Sequence, residues 1–149
     1  MAWPALKTRL RCRNFCTPRD ESMSEQRESL RKGLPEFEKY GSKLDRAIDA
    51  VLSGGVKECL FLPSQRKVVT VVGRLGDEFI DPEKPYCSCS NFFFRVLTGR
   101  EEICYHLLSY KVATKLGRVD VLEFSDEEYG PYLVATIRDV FEVLRKSGG

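Results

Sequence analysis

The chain has 149 residues, 42% of them hydrophobic and 31% charged, which is the size and composition of one soluble globular domain. Its formal net charge is +2, but residues 23–149 carry 19 basic and 20 acidic groups, so most of the chain is nearly neutral and does not coat DNA by charge alone. The longest apolar runs fall far short of the ~20 residues that span a bilayer, and no secretory signal opens the sequence.

Residues 1–22 differ from the rest of the chain. They lack a clear apolar period and carry five basic groups against two acidic ones. We expect a disordered tail or an extension upstream of a true start at Met23, with an arginine-biased organelle transit peptide as the alternative. Cys12 and Cys16 lie here without a nearby histidine or second cysteine pair, so they do not complete a metal site of four ligands.

Residues 23–149 are predicted to form a single domain of helices and strands. The predicted elements are, in chain order, a short helix over Glu25–Lys32, a helix from Pro35 to Leu52, a β-hairpin of strands Glu58–Leu62 and Lys67–Gly73, a polar stretch leading into a cysteine cluster, a helix over Ile103–Leu116 and a last helix over Pro131–Lys146. Apolar residues at helical spacing support the helices, and consecutive β-branched valines support the second strand.

The cysteines and the histidine carry the main chemical signal. Without an export signal, the six cysteines are expected to be thiols rather than a disulfide framework. Cys87-Ser88-Cys89 is followed after fourteen residues by Cys104-Tyr105-His106, and His106 is the only histidine of the chain. Zinc favours four tetrahedral sulfur and nitrogen ligands. Each residue alone would be read as an ordinary core residue, but the whole set predicts one structural zinc ion.

The spacing within each ligand pair constrains the local structure. Residues i and i+2 point to the same side of a strand, so Cys87 and Cys89 can face one ion there. In the middle of a helix they would lie about 200° apart, so Cys104 and His106 are predicted at or just before a helix start. Three thiolates, a neutral imidazole and Zn²⁺ sum to −1, which a helix N-terminus stabilises by ~0.3–1 kcal/mol.

Catalysis is not expected from this site. A catalytic zinc keeps an open position, whereas four protein ligands fill the shell here. No second histidine can act as a general base, and no phosphate-binding G-x-x-x-x-G-K-[ST] loop is present. The sequence therefore predicts a binding protein that is not an enzyme and has no small-molecule substrate.

The pattern C-x-C, a gap, then C-x-H resembles the SWIM zinc finger. The intervening Phe92, Phe94 and Val96-Leu97, and the residues His106-Leu107-Leu108, sharpen this into a likeness to the small SWIM proteins of the Shu-complex type, closest over residues 86–113. The predicted fold class is α+β, with one or more N-terminal helices, a β-hairpin, a SWIM-type finger at about 75–117 with its following helix, and a C-terminal helix.

The resemblance implies a function that the residues alone do not. Proteins of this type are non-enzymatic accessory factors in homologous recombination and DNA repair that pair with a RecA/RadA-family recombinase paralogue. Single-stranded DNA would then be reached through the complex. The alternative is a stand-alone nucleic-acid-binding SWIM finger in transcription or mobile-element function. We expect the cytoplasm of a prokaryote, or otherwise the nucleus of a eukaryote, and neither secretion nor membrane association.

Possible partner contacts lie in two places. Three successive phenylalanines follow Asn91, and either Phe93 or a neighbour packs outside against a partner, or two rings fill the core and the third covers the hairpin. Arg95 follows them and is also a predicted contact. Lys111, Lys115 and Arg118 are spaced i, i+4 and i+7 and would form one basic stripe. The stripe is either a solvated helix face or a contact for nucleic acid or an acidic partner. Cys59 is expected to be a core residue.

Overall fold

The computed structural model describes residues 21–73 and 76–147 of the chain. Residues 1–20 of the expected N-terminal extension, with Cys12 and Cys16, lie outside the described residues. Its last two residues, Glu21 and Ser22, instead begin the first helix, which was predicted to start at Glu25. Over the part that is described, helices pack on a mainly antiparallel five-stranded sheet, which confirms the α+β class. No helix within the described residues is long and apolar enough to cross a membrane.

Within residues 21–73 and 76–147, the fold has four α-helices and five strands. The helices are α1 (Glu21–Lys32), α2 (Ser42–Leu52), α3 (Tyr105–Leu116) and α4 (Tyr129–Ser147). The strands are β1 (Val56–Leu62), β2 (Arg66–Val72), β3 (Asp77–Asp81), β4 (Tyr86–Cys87) and β5 (Asp120–Ser125). Three short turns complete the list: 3₁₀ turns at Pro35–Tyr40 and Asp126–Glu128, and a π-helical turn at Phe92–Val96.

The sheet has the strand order β4-β3-β2-β1-β5. β1 and β2 pair antiparallel, with Cys59 opposite Val68, so the predicted hairpin is confirmed. β3 and β4 continue the antiparallel meander on one side. β5 pairs with β1 in parallel on the other side, which requires a long crossover through the metal-binding segment and α3.

Two strands were missed, and several helix boundaries were predicted wrongly. The polar stretch before the cysteines contains β3, and the segment after α3 contains β5. The single helix expected from Pro35 is a 3₁₀ turn followed by α2, because Gly41 between them adopts a φ of 53° that ends the first turn. α3 begins at Tyr105 rather than Ile103, and α4 begins two residues earlier than predicted.

The sheet separates two apolar clusters. The larger one lies between the sheet and helices α1 to α3, and it includes Val69 and Val71 of β2 together with all three site cysteines. The smaller one lies on the opposite face beneath α4, where Cys59, Phe61, Val68 and Tyr132 are buried. This alternation along β1 and β2 is the period of two that a sheet covered on both faces requires. Cys59 is a buried core residue, as expected, and lies within hydrogen-bonding distance, 3.2 Å, of the Tyr132 hydroxyl.

Phe61 is the centre of the smaller cluster. Its ring stacks on Phe124 at 5.5 Å and meets Tyr129 and Tyr132 edge-on at 5.1 and 5.5 Å. We expect Phe61→Ala to lower the free energy of unfolding by about 3–5 kcal/mol, because it removes a fully buried ring and its aromatic contacts. Urea denaturation measures this. Phe141→Ala, on the exposed side of α4, is the control and should change stability by no more than about 0.5 kcal/mol.

Candidate metal centre

Four buried side chains converge on one point between the sheet and α3. The sulfurs of Cys87, Cys89 and Cys104 and a ring nitrogen of His106 all lie within 4.8 Å of one another. None of the four residues is more than 5% exposed. The structure thus brings together, from two separate segments, every residue that the sequence predicted as a metal ligand.

Each ligand pair stands at the end of a regular element. Cys87 is the last residue of β4, and Cys89 follows the strand rather than lying within it. Cys104 is the N-cap of α3, with extended backbone angles of −80° and 160°, and His106 is the second residue of that helix. The two pairs therefore meet where a strand ends and a helix begins, and the positive end of the helix dipole faces the thiols.

The three thiols form hydrogen bonds with one another. Hydrogen bonds from Cys87 and Cys89 to the Cys104 sulfur hold the pKa of Cys104 well below its ordinary value, and the same bonds raise the pKa of Cys89 to about 12 and raise that of Cys87 as well. The Phe92 amide also donates to Cys89 Sγ over 3.3 Å, and the Leu107 amide donates to Cys104. Binding of a divalent cation by all three sulfurs must therefore release protons, and its affinity falls as pH falls.

The imidazole shows that the donor set fits a metal. Both Nδ1 and Nε2 of His106 are buried, and neither has a hydrogen-bond partner among the described residues. A buried polar atom without a partner costs about 1–3 kcal/mol, and a bond to a metal removes that cost at one nitrogen. Three sulfurs and one nitrogen are a donor set that zinc prefers for a closed, structural site.

Gly73 at the end of β2 makes room for the imidazole. A Cβ atom built on Gly73 would lie 3.0 Å from His106 Nε2 and 2.8 Å from the carbonyl oxygen of Gly76. The Gly73 amide also donates to that same carbonyl over 2.8 Å. Sequence reasoning missed this residue, because a glycine at a strand end predicts a turn and does not show which side chain it accommodates.

The segment before Cys104 is tied to helix α2 by one lysine. Lys43 Nζ donates to Glu101 Oε2 and to the Ile103 carbonyl, both at 2.8 Å. Arg95 donates to the other oxygen of Glu101 at 2.8 Å. These two cations lower the pKa of Glu101 to about 2, with Lys43 the larger cause. These contacts therefore fix the direction in which the chain enters the second ligand pair.

The phenylalanine run divides between core and surface. Phe92 is buried, and Phe93, 38% exposed, makes edge-on contacts with Phe92 and Tyr86. The most exposed apolar side chains of the run are Phe94 at 70% and Leu97 at 63%, on the outside of the π-helical turn. The expectation that Phe93 or a neighbour packs outside therefore applies mainly to Phe94. Leu97 was missed, because only the backbone geometry of the turn decides which side chains face outward.

The three basic residues do not form one free stripe. Lys111 is exposed on α3, whereas Lys115 forms an ion pair with Glu36 and lies 6.0 Å from the Phe37 ring. Arg118 follows the end of the helix, because Gly117 adopts the left-handed conformation at φ 63° and turns the chain. The helical spacing assumed for Arg118 is therefore wrong.

Comparison with known proteins supports the chemical reading of the site. The chain is 36% identical over 76 residues to a zinc finger SWIM domain-containing protein 7 homolog from Dictyostelium discoideum. The match covers 50% of this chain and 49% of that protein, so the chain spans about half the length of the curated relative it matches. No protein-family model and no solved structure matches the chain.

The match and the clustered side chains point the same way. A relative with a SWIM zinc finger and a buried cluster of three cysteines and one histidine together support a SWIM-type zinc finger and a zinc-binding domain in this chain. The residues that would hold the ion are Cys87, Cys89, Cys104 and His106. The ion would join β4 to α3 and so fix the orientation of the segment between them.

We expect Cys104→Ser to lose the bound metal, because it removes the thiol that both other cysteines contact. Zinc per chain is measured by inductively coupled plasma mass spectrometry after dialysis against a weak chelator. Cys59→Ser is the matched control, since Cys59 is equally buried but lies in the cluster beneath α4. Equal zinc content in Cys104→Ser and wild-type protein would refute the ligand set.

Gly73→Ala tests the space beside the imidazole. The added methyl group would lie closer than van der Waals contact to His106 Nε2 and to the Gly76 carbonyl, so the ring or the turn must shift. We expect zinc affinity to fall about 10-fold or more, as for other changes that disturb the surroundings of a ligand. Chelator competition measures it. Gly130→Ala, where a Cβ meets nothing within 4 Å, should leave the affinity unchanged.

Proposed function

We propose that this protein is a non-enzymatic zinc-binding accessory factor in homologous recombination and DNA repair, which docks on a RecA-family recombinase paralogue. The proposal extends the likeness to the Shu-complex type of SWIM protein. In this scheme the paralogue supplies the ATP chemistry, and single-stranded DNA is bound through the complex. Zinc serves to hold the docking surface in shape.

One observation carries the proposal: the segment between the two ligand pairs exposes apolar side chains on a hydrogen-bonded turn. Phe94 and Leu97 face solvent, while Phe92 beneath them is buried in the same core cluster as the cysteines. The Leu97 amide donates to the Phe92 carbonyl at 2.9 Å, and the Thr98 hydroxyl donates to that of Phe94 at 2.8 Å. Exposed aromatic side chains on an ordered backbone are typical of protein interfaces.

The absence of an open coordination position supports a role outside catalysis. All four donors come from the protein and are buried, and a filled tetrahedral shell leaves no place for a reactive water. A structural zinc supplies folding free energy and fixes the two segments that it joins. The chain's own residues therefore act by presenting a surface.

The alternative, a stand-alone nucleic-acid-binding finger, depends on free cations. Lys115 is paired with Glu36, Arg95 with Glu101, and Arg118 lies apart from the helix face. Binding driven by phosphate contacts needs several unpaired cations and shows a steep loss of affinity with salt. Fluorescence anisotropy of the isolated protein with single-stranded and duplex DNA discriminates, because tight binding with a steep salt slope favours the alternative.

We expect the tagged full chain to recover a RecA-family ATPase from cells of its source organism. Phe94→Asp and Leu97→Asp should each lower that recovery about 10-fold or more, because a charge placed at an apolar contact removes its burial and leaves the charge desolvated. Quantitative mass spectrometry of the eluates measures the recovery. Zinc content is measured in parallel and should stay at the wild-type value.

The control for these variants is Ile137→Asp, which places the same charge at an exposed apolar position on α4. It should keep wild-type recovery if the partner docks on the turn beside the metal site. Recovery of no RecA-family ATPase by the wild-type chain, at either low or high salt, would overturn the proposed function. Unchanged recovery by both turn variants would show that the partner docks on another surface.

A further inference from the structure

Two buried polar side chains that are not metal ligands lie against the cysteine cluster. Glu78 in β3 is 5% exposed, and Ser88, which separates Cys87 from Cys89, is 3% exposed. The Ser88 hydroxyl donates to Glu78 Oε2 over 2.6 Å. Acidic side chains are almost never this deeply buried unless they are paired, so the contact calls for an explanation.

Ser88 is held to β3 by two more hydrogen bonds. The Phe79 amide donates to Ser88 Oγ, and the Ser88 amide donates to the Phe79 carbonyl, both at 3.0 Å. The hydroxyl therefore donates once and accepts once, and its rotamer is fixed. Regular pairing between β3 and β4 ends at Cys87, opposite Ile80. The bonds at Ser88 extend the hydrogen bonding to β3 by one residue, as far as the residue before Cys89.

Glu78 also lies close to the other ligand pair. Ile80, two residues further along β3, belongs to the same core cluster as the cysteines, so Glu78 points to the face of the sheet that carries the site. A Cβ atom on Gly73 would lie 3.0 Å from His106 Nε2 and 3.5 Å from Glu78 Cγ. The carboxyl group and the imidazole therefore border the same small space.

We propose that Glu78 and Ser88 are positioning residues of the metal site, which set the direction in which Cys87 and Cys89 present their sulfurs. The inference rests on the proposed zinc binding. Ser88 is the only residue between the two thiols, so a rotation of its backbone would swing both sulfurs. Three hydrogen bonds to one strand oppose that rotation. The contribution of Glu78 is to accept the hydroxyl proton, which orients the serine.

Variants at the two positions separate hydrogen bonding from packing. Ser88→Ala removes the hydroxyl. Glu78→Leu replaces the acceptor with an apolar side chain of similar size. We expect each to weaken zinc binding about 10- to 100-fold, the range seen when groups that orient metal ligands are removed. Glu78→Gln and Ser88→Thr keep an acceptor and a hydroxyl, and each should restore affinity to within about 3-fold of the wild-type value.

Zinc affinity is measured by chelator competition on the full chain, and the Co²⁺-substituted proteins give d–d absorption spectra that report the ligand geometry. The control is Val68→Ala, which removes buried volume from the opposite face of the sheet. It should lower the urea midpoint without changing affinity or spectrum. The spectra of Ser88→Ala and Glu78→Leu should shift in band position or intensity, because their sulfurs are no longer held in one direction.

The possible outcomes distinguish the positioning role of Glu78 and Ser88 from the zinc binding on which it rests. A wild-type chain that binds no zinc overturns the metal site and the positioning role together. Wild-type binding with equal affinity in Ser88→Ala and Glu78→Leu overturns the positioning role alone. Equal loss of affinity in Val68→Ala also overturns it, since general destabilisation then accounts for the effect. Failure of Glu78→Gln and Ser88→Thr to restore affinity counts against the hydrogen bond as the cause.

Discussion

The fold depends on bringing three thiols and one imidazole to a single buried point from two segments of the chain. The sulfurs would repel one another as thiolates, and both imidazole nitrogens lack a hydrogen-bond partner among the described residues. Such a cluster is costly by itself and favourable around a divalent cation. The cation would in turn join the end of β4 to the start of α3, and α3 leads the chain into the crossover to β5.

Several polar groups around the cluster have hydrogen-bond partners in neighbouring elements. Glu78 accepts from Ser88, Ser88 accepts from a strand amide, and Lys43 holds both Glu101 and the Ile103 carbonyl. Each of these bonds connects a ligand segment to the sheet or to α2. Groups buried without partners would each cost about 1–3 kcal/mol, so their pairing is a condition for the close packing around the thiols.

The sequence predicted those features that depend on local patterns. Paired i, i+2 ligands, the valine-rich β2 and the apolar stripe of α2 are all readable from neighbouring residues. The structure contains both elements and brings the four ligand candidates together, although Cys89 lies just beyond its strand. β3 was missed because Glu78 interrupts its apolar pattern, and the partner that permits its burial lies ten residues away. β5 was missed because its half-exposed residues form a strand only by pairing with β1, some sixty residues earlier.

The most exposed apolar side chains of α4 and of the segment between the ligand pairs differ in their structural setting. Val134, Ile137 and Phe141 lie along α4, where they follow from the period of a long helix. Phe94 lies in a π-helical turn and Leu97 directly follows it, and this geometry is uncommon and often associated with functional sites. The turn is five residues long and lies in the segment between the two ligand pairs, so a bound metal would hold both ends of that segment.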